Sequence, residues 1–435
     1  MARQTKSLKF AVRSYGFVAA LALRHGSIGG FVVPIALLAL LLLASTLAPH
    51  AHAATPSLVT TVSVGGEPSG IAYDSGAGEV FVANFHTGFQ SATVSVISDS
   101  TSTVTSTISV GANPEQLAYD SAKGEVFVTE AGPDIVQVIS DKTNAVIANI
   151  TVGTVPTGIA YDSGKGELFV VNSDSQTVSV ISDADNSVTA TVTLPPGSYA
   201  SGVTYDSAKG EVFVADTDTG MVSVISDGTN AIVANVTVAS DPVAAAYDPA
   251  KGEVFVADDN DGNVSVISDS SNSVVKTIDV PSGAQGLAYD SAKGEVFVSP
   301  EFSPQVAVIS DSTNAVVATV SLKAGTSDTS GGVAYDSAKG EIFVADFGSN
   351  VVSVISDSGL TSANSTASPS SSASTQTTTA PTTTSSAASS TSPSKSSSSM
   401  ISLSYLALVA ADAALLLILG LAATKRIRQT SSRTL

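Results

Sequence analysis

The sequence predicts an all-β fold, a seven-bladed β-propeller of four-stranded blades, followed by one C-terminal transmembrane helix. Three observations carry that prediction. The ten residues YDSAKGEVFV beginning at Tyr205 recur unaltered at Tyr119 and Tyr289, and with one or two substitutions at Tyr73, Tyr161, Tyr247 and Tyr335. The seven tyrosines stand 46, 42, 44, 42, 42 and 46 residues apart, a period that points to propeller blades. Within one period, VPTGIAYD, GELFVVN, TVSVISD and VTATVTL are short runs rich in Val, Ile, Thr and aromatics. Gly, Pro, Asp, Asn and Ser separate them, so each period reads as strands a, b, c and d.

Residues 1–54 contain Arg3, Lys6, Lys9, Arg13 and Arg24 but no acid, then an apolar run and an A-x-A site at Ala51, His52 and Ala53. That order describes a secretory signal peptide, with cleavage expected near Ala53 or Ala54. An uncleaved N-terminal anchor is the alternative, because the basic leader is long.

The propeller is expected over residues 55–357. Leu58–Val64 (LVTTVSV) is an orphan strand d before the first copy, and the last copy stops after strand c at Asp357. The two ends complement each other: seven complete blades require strand 58–64 to be the outer strand of the last blade, closing the ring. Strand b is apolar on both faces, with Phe213 and Ala215 on one side and Val212 and Val214 on the other. A blade buried on both faces needs neighbours on both, and a closed ring supplies them while removing free sheet edges. No 3.6-residue apolar period is seen outside the two apolar ends, so helices should be almost absent here.

Residues 358–399 are Ser/Thr/Pro-rich and lack the apolar residues a core needs, which makes them a disordered stalk of mucin-like composition. Residues 400–424 hold the apolar run Ile401–Ala423, long enough as a helix to cross a bilayer. Lys425, Arg426, Arg428 and Arg433 follow in residues 425–435, placing that tail in the cytoplasm and the propeller and stalk outside. Asp412 lies in mid-span. It marks either an intramembrane partner or a protonated carboxyl carried by the surrounding leucines.

Between Thr55 and Ser399 there are 37 acids against ten lysines and no arginine, a balance near −27. Such a surface repels nucleic acid and favours cations and basic partners. The chain has no Cys and no Trp, and His86 is its only histidine beyond the leader. A thiol nucleophile, a multi-histidine metal centre and a quinone cofactor stacked on Trp are therefore not expected.

GIAYDSGKGELFVVNSDSQTVSVISDADNSVTATVTL resembles the YVTN β-propeller repeat, and the resemblance extends over all seven copies, roughly Leu58 to Asp357. It departs in writing FVA, FVV or FVT for the eponymous tetrapeptide and Tyr-Asp for Val-Asp. The resemblance implies an extracellular propeller of the kind found on archaeal and bacterial surfaces, and implies no single reaction.

The repeated motif itself reads as scaffold. Asp206 can accept from following amides, Ser207 and Ala208 suit a type I turn, and Gly210 supplies a positive φ. The alternative, a ring of Asp206, Glu211 and their equivalents binding cations, is weakened by the Lys beside it in six copies, Lys209 among them.

Internal comparison locates the individual residues. The a–b and c–d turns barely vary, whereas the b–c and d–a connections, which emerge together on the other face, differ in every blade. Binding residues concentrate on such loops. The candidates on that face are Asn84, Phe85, His86, Phe89, Glu130, Asp134, Asp174, Asp259, Glu301, Phe302, Asp346 and Phe347. Asp216 with Asp218, and Asp258 with Asn260 and Asp261, alternate oxygen ligands before Gly and are calcium candidates, beside the plainer reading of solvated acidic turns. Calcium aside, no cofactor is expected. Asn149, Asn235, Asn263 and Asn364 open N-x-[ST] sequons and are glycosylation candidates.

The expected function is a membrane-anchored extracellular module that binds cell-envelope proteins or glycans, or that builds the envelope as a spacer in a surface layer. No catalytic constellation is identified, so the chain is read as no enzyme. The competing reading is a secreted-side metal-dependent hydrolase, lactonase-like, with its site at the channel mouth.

Overall fold

A computed structural model describes residues 55–85, 92–280, 283–300, 303–323 and 330–358. The leader, the Ser/Thr/Pro-rich segment with Asn364, and the apolar C-terminal run with Asp412 lie outside the described residues. All described residues belong to one compact unit.

The β-branched and aromatic runs of each repeat form seven antiparallel four-stranded sheets. Strands a of blades 1 to 7 are Pro68–Asp74, Pro114–Asp120, Pro156–Asp162, Ala200–Asp206, Pro242–Asp248, Gly286–Asp290 and Ser330–Asp336. Strands b are Glu79–Asn84, Glu125–Glu130, Glu167–Asn172, Glu211–Asp216, Glu253–Asp258, Glu295–Ser299 and Glu341–Asp346. In six blades the four strands follow one another in the chain. In the seventh, Ser57–Ser63 pairs antiparallel with Val351–Ser356, so the first strand of the chain completes the last blade. The expected closing strand 58–64 is displaced by one residue, and Val64 still donates from its backbone N to Asn350 O at 3.1 Å.

Packing explains why the ring closes. The strand b phenylalanines Phe81, Phe127, Phe169, Phe213, Phe255, Phe297 and Phe343 are all 0% exposed. Each belongs to an apolar cluster shared by two successive blades: Phe213 and Ala215 of blade 4 pack with Val254 and Val256 of blade 5. Phe343 and Ala345 of blade 7 pack in the same way with Val80 and Val82 of blade 1. No blade is thus a stable unit by itself, because one face of every sheet is completed by its neighbour.

The outer edges are handled by a bulge. In each strand d the pairing register shifts next to one residue that is left out of it, Val233 in blade 4 and Val59 in blade 7 among them. Val59, Ile147, Val233, Val275 and Val317 stand at this position and are between 40 and 53% exposed. In blades 1 and 3 the residue is Thr105 or Thr189, whose hydroxyl donates to the Val96 or Val180 carbonyl. A bulge twists and interrupts an edge, which discourages pairing with another chain.

Candidate binding face and channel site

The repeated motif forms a clasp between blades, on the face where the turns are uniform. Asp206 is fully buried and its Oδ1 accepts from the Ala208 and Lys209 backbone N at 2.8 and 3.2 Å. Gly210 has φ +67, and a Cβ there would stand 2.6 Å from the Asp227 carboxylate. Tyr205 donates its hydroxyl to Asp227 Oδ2 at 3.1 Å and also reaches Asp162 of the preceding blade. Burial, and then these carboxylates, raise the tyrosine hydroxyls above the ordinary phenol range in all seven blades. Lys209 crosses to the next blade, where its ammonium meets both the carboxylate and the carbonyl oxygen of Asp269.

Five further lysines repeat this ion pair: Lys123 with Asp183, Lys165 with Asp227, Lys251 with Asp311, Lys293 with Asp357, and Lys339 with Asp99. The seventh position is Ala77, so the blade 1 to blade 2 junction lacks the lysine and Asp141 has none opposite it. Asp206 of the motif and the aspartates of the c–d turns are therefore engaged in folding.

On the opposite face, the last residue of each strand b is 0 or 1% exposed: Asn84, Glu130, Asn172, Asp216, Asp258, Ser299 and Asp346. Sequence placed Asn84, Glu130 and Asp346 among the loop contacts and Asp216 and Asp258 among the calcium candidates, and the structure buries all five. The reason is capping. Glu130, Asn172 and Asp216 accept from the backbone N of Gly111, Gly153 and Tyr199 in the d–a connections, at 3.0, 3.1 and 2.9 Å. Asn84 donates to Ser95 Oγ and Asp258 accepts from Ser265 Oγ within their own blades, while Asp346 accepts from Ser349 N. Burial pushes the Glu130 and Asp258 carboxyls up to about 7.

Of the remaining candidates, Asp174, Asp218, Asn260 and Asp261 are exposed, and Asp134 and Asp259 partly so. Asp134 accepts from Val155 N and Asp261 from Ser240 N, both at 2.9 Å, tying b–c loops to d–a loops. Among the described residues no three acid or histidine side chains gather as metal ligands. Phe85 and Phe347, on the b–c loops of blades 1 and 7, come together with ring centroids 6.4 Å apart and planes tilted by 45°. His86, Phe89, Glu301 and Phe302 lie outside the described residues. Asn149 and Asn235 occupy the same exposed position of outer strands in blades 2 and 4, and Asn263 is partly buried.

A cavity of about 450 Å³ occupies the channel at this variable end. Its walls are the first residues of the seven strands a, with Phe347 at its rim, and no residue of the uniform turns contributes. The strands approach closely enough that a Cβ at Gly158 would stand 2.2 Å from the Ser201 carbonyl oxygen. Hydroxyls belt them together: Ser69 Oγ donates to Glu115 O at 3.0 Å, Ser201 Oγ to Val243 O at 3.1 Å, and Ser299 Oγ to Gly331 O at 2.9 Å. Where blades 1, 3 and 4 bring Ser-Gly or Thr-Gly, blade 2 brings Glu115 and Gln116, and blade 6 brings Gln285. Among the described residues Glu115 is the only ionisable side chain in that wall, and burial alone raises its carboxyl to about 7. Sequence reasoning missed it. Aligning the starts of the seven strands a would have shown Glu-Gln as the odd pair.

No family profile matches the chain, and no curated protein matches it either. Solved structures do. The Kuenenia stuttgartiensis hydrazine synthase is similar with a TM-score of 0.58 at 16% identity, over 66% of this chain and 95% of that one. The Cps50 (Swd1) β-propeller domain of Myceliophteria thermophila is similar with a TM-score of 0.58 at 10% identity, over 69% of this chain and 99% of that one. At these identities the likeness is one of fold: the chain is a β-propeller.

Proposed function

We propose that this chain is a surface-exposed propeller of the YVTN type, held to the membrane by its C-terminal apolar segment and binding cell-envelope proteins or glycans. One observation supports the binding role most. The turns of one face are consumed by a clasp repeated at six of the seven junctions, while the other face carries seven different b–c loops around a channel cavity. A scaffold alone would need no such asymmetry. The leader and the 400–424 run support the exterior location through their charge order, and Asn149 and Asn235, exposed at equivalent edges, are its glycan acceptors. The full-length chain, immobilised and offered envelope components with and without calcium, should retain a specific partner. Retention of none under either condition counts against recognition.

The second reading, a metal-dependent hydrolase, has one observation in its favour: the cavity joins one carboxylate, Glu115, to the amides Gln116 and Gln285. Calcium takes 6–8 oxygens, more than one carboxylate and two amides supply, so recognition is the better-supported reading.

A further inference from the structure

We infer that the channel cavity is a binding site for the ammonium group of a small primary amine, with Glu115 as its counter-ion and the Phe347 ring at its rim. This rests on the variable face being the binding face, and specifies what that face takes at its centre. Glu115 is the one acid in a wall that is otherwise uncharged among the described residues, and no cationic side chain stands beside it there. Burial raises its carboxyl, so a counter-charge entering the cavity would favour its ionised form. Strands a of blades 1 and 3 bring Ser69 and Thr157 but no titratable side chain to the cavity, and strand b of blade 2, which pairs with the Glu115 strand, carries Glu130, which lies outside the cavity wall and accepts from Gly111 N.

The hydroxyls have spent their hydrogens. Ser69 and Ser201 donate to carbonyls of the next blade, which leaves oxygen lone pairs as what they can offer a ligand. Walls rich in acceptors around one carboxylate suit a group that is all donor, and an ammonium has three donors and no acceptor. The tilted Phe85 and Phe347 rings add aromatic faces of the kind that attract cations. A neutral polyol would leave the carboxyl without its counter-charge, and a divalent metal would find too few anionic ligands. The acidic exterior raises the local concentration of cations.

The test is an NMR titration of the full-length chain with n-butylammonium, 1-butanol and glucose at about pH 5.5 and about pH 8.5. Butylammonium should bind about thirtyfold more tightly at the higher pH, following the ionised fraction of a carboxyl with pKa near 7. Glu115→Gln should weaken it by about tenfold or more at the higher pH and abolish the pH dependence. Phe347→Leu, which keeps apolar bulk but loses the π face, should weaken it by about threefold. Should Glu115→Gln fail to fold, the carboxyl resonance of Glu115 in the unaltered chain decides, because saturation with the amine must lower its apparent pKa. Equal binding of butanol or glucose, pH-independent binding, or an unchanged pKa overturns the inference. If the amine fails while an envelope partner is still captured, only this inference falls; if both fail, the reading of the variable face falls with it.

Discussion

Ala77→Lys should strengthen the ring at its one unclasped junction. At the six other junctions a lysine that is between 30 and 39% exposed lies 3.0 to 3.9 Å from an aspartate only 5 to 13% exposed. A half-exposed pair contributes about 0.3–1 kcal/mol. The same ammonium donates to a backbone carbonyl, as Lys251 does to Asp311 O, worth about 0.5–1 kcal/mol net. Ordering the long side chain offsets roughly half of this, leaving about 0.5–1 kcal/mol. For a domain near 300 residues that is a rise in Tm of about 1–2 °C, readable by scanning calorimetry at low salt. The gain should vanish in Ala77→Lys/Asp141→Asn, and Lys165→Ala should lose a similar amount. A gain that persists without the Asp141 carboxylate, or no loss from Lys165→Ala, would show that the clasp contributes nothing.

Phe213→Ala should destabilise the chain by about 3–5 kcal/mol in denaturant unfolding, since it opens a void between blades 4 and 5. Val155 holds a left-handed backbone (φ 53) where its counterparts before proline are Glu67, Asn113 and Asp241; Val155→Asn should stabilise by about 1 kcal/mol, measured as a shift in the denaturation midpoint. The folded-state pKa values of Glu115, Glu130 and Asp258 lie above their ordinary ones, at about 7. The folded chain therefore holds protons that the unfolded chain releases. Stability is fully present below the usual carboxyl range and falls as pH rises towards about 7, so Tm should be higher near pH 5 than near pH 8. Glu130→Gln should flatten that profile; an unchanged slope would contradict the assignment.

The architecture was legible because it is written seven times. Tyr, Asp, Lys, Gly and Glu recur at fixed spacing, and Phe213 with its equivalents marks the doubly buried strand, so pattern alone predicts blades and their closure by the first strand. What pattern could not supply was direction and depth. Glu130, Asp216 and Asp258 look like loop acids by composition, yet each terminates a strand and turns inward, Glu130 and Asp216 to cap the d–a connection and Asp258 to accept from Ser265 of its own blade. The partner of Lys209 lies 60 residues away, at Asp269, which no local rule reveals. Phe85 and Phe347 are remote in sequence and adjacent only because the ring closes. Glu115 escaped notice because a single acid among polar connection residues carries no local signature; its meaning comes from six neighbours that have none.

The assignment of binding to the variable face is tested most directly by hydrogen exchange on the full-length chain, with and without captured envelope material. Protection should gather in the b–c and d–a connections, at Asp134, Asp174, Asp218 and Phe347, with the a–b and c–d turns unchanged. Protection confined to those uniform turns, at Lys123, Lys165 and Lys209, would place the partner on the clasp and contradict it.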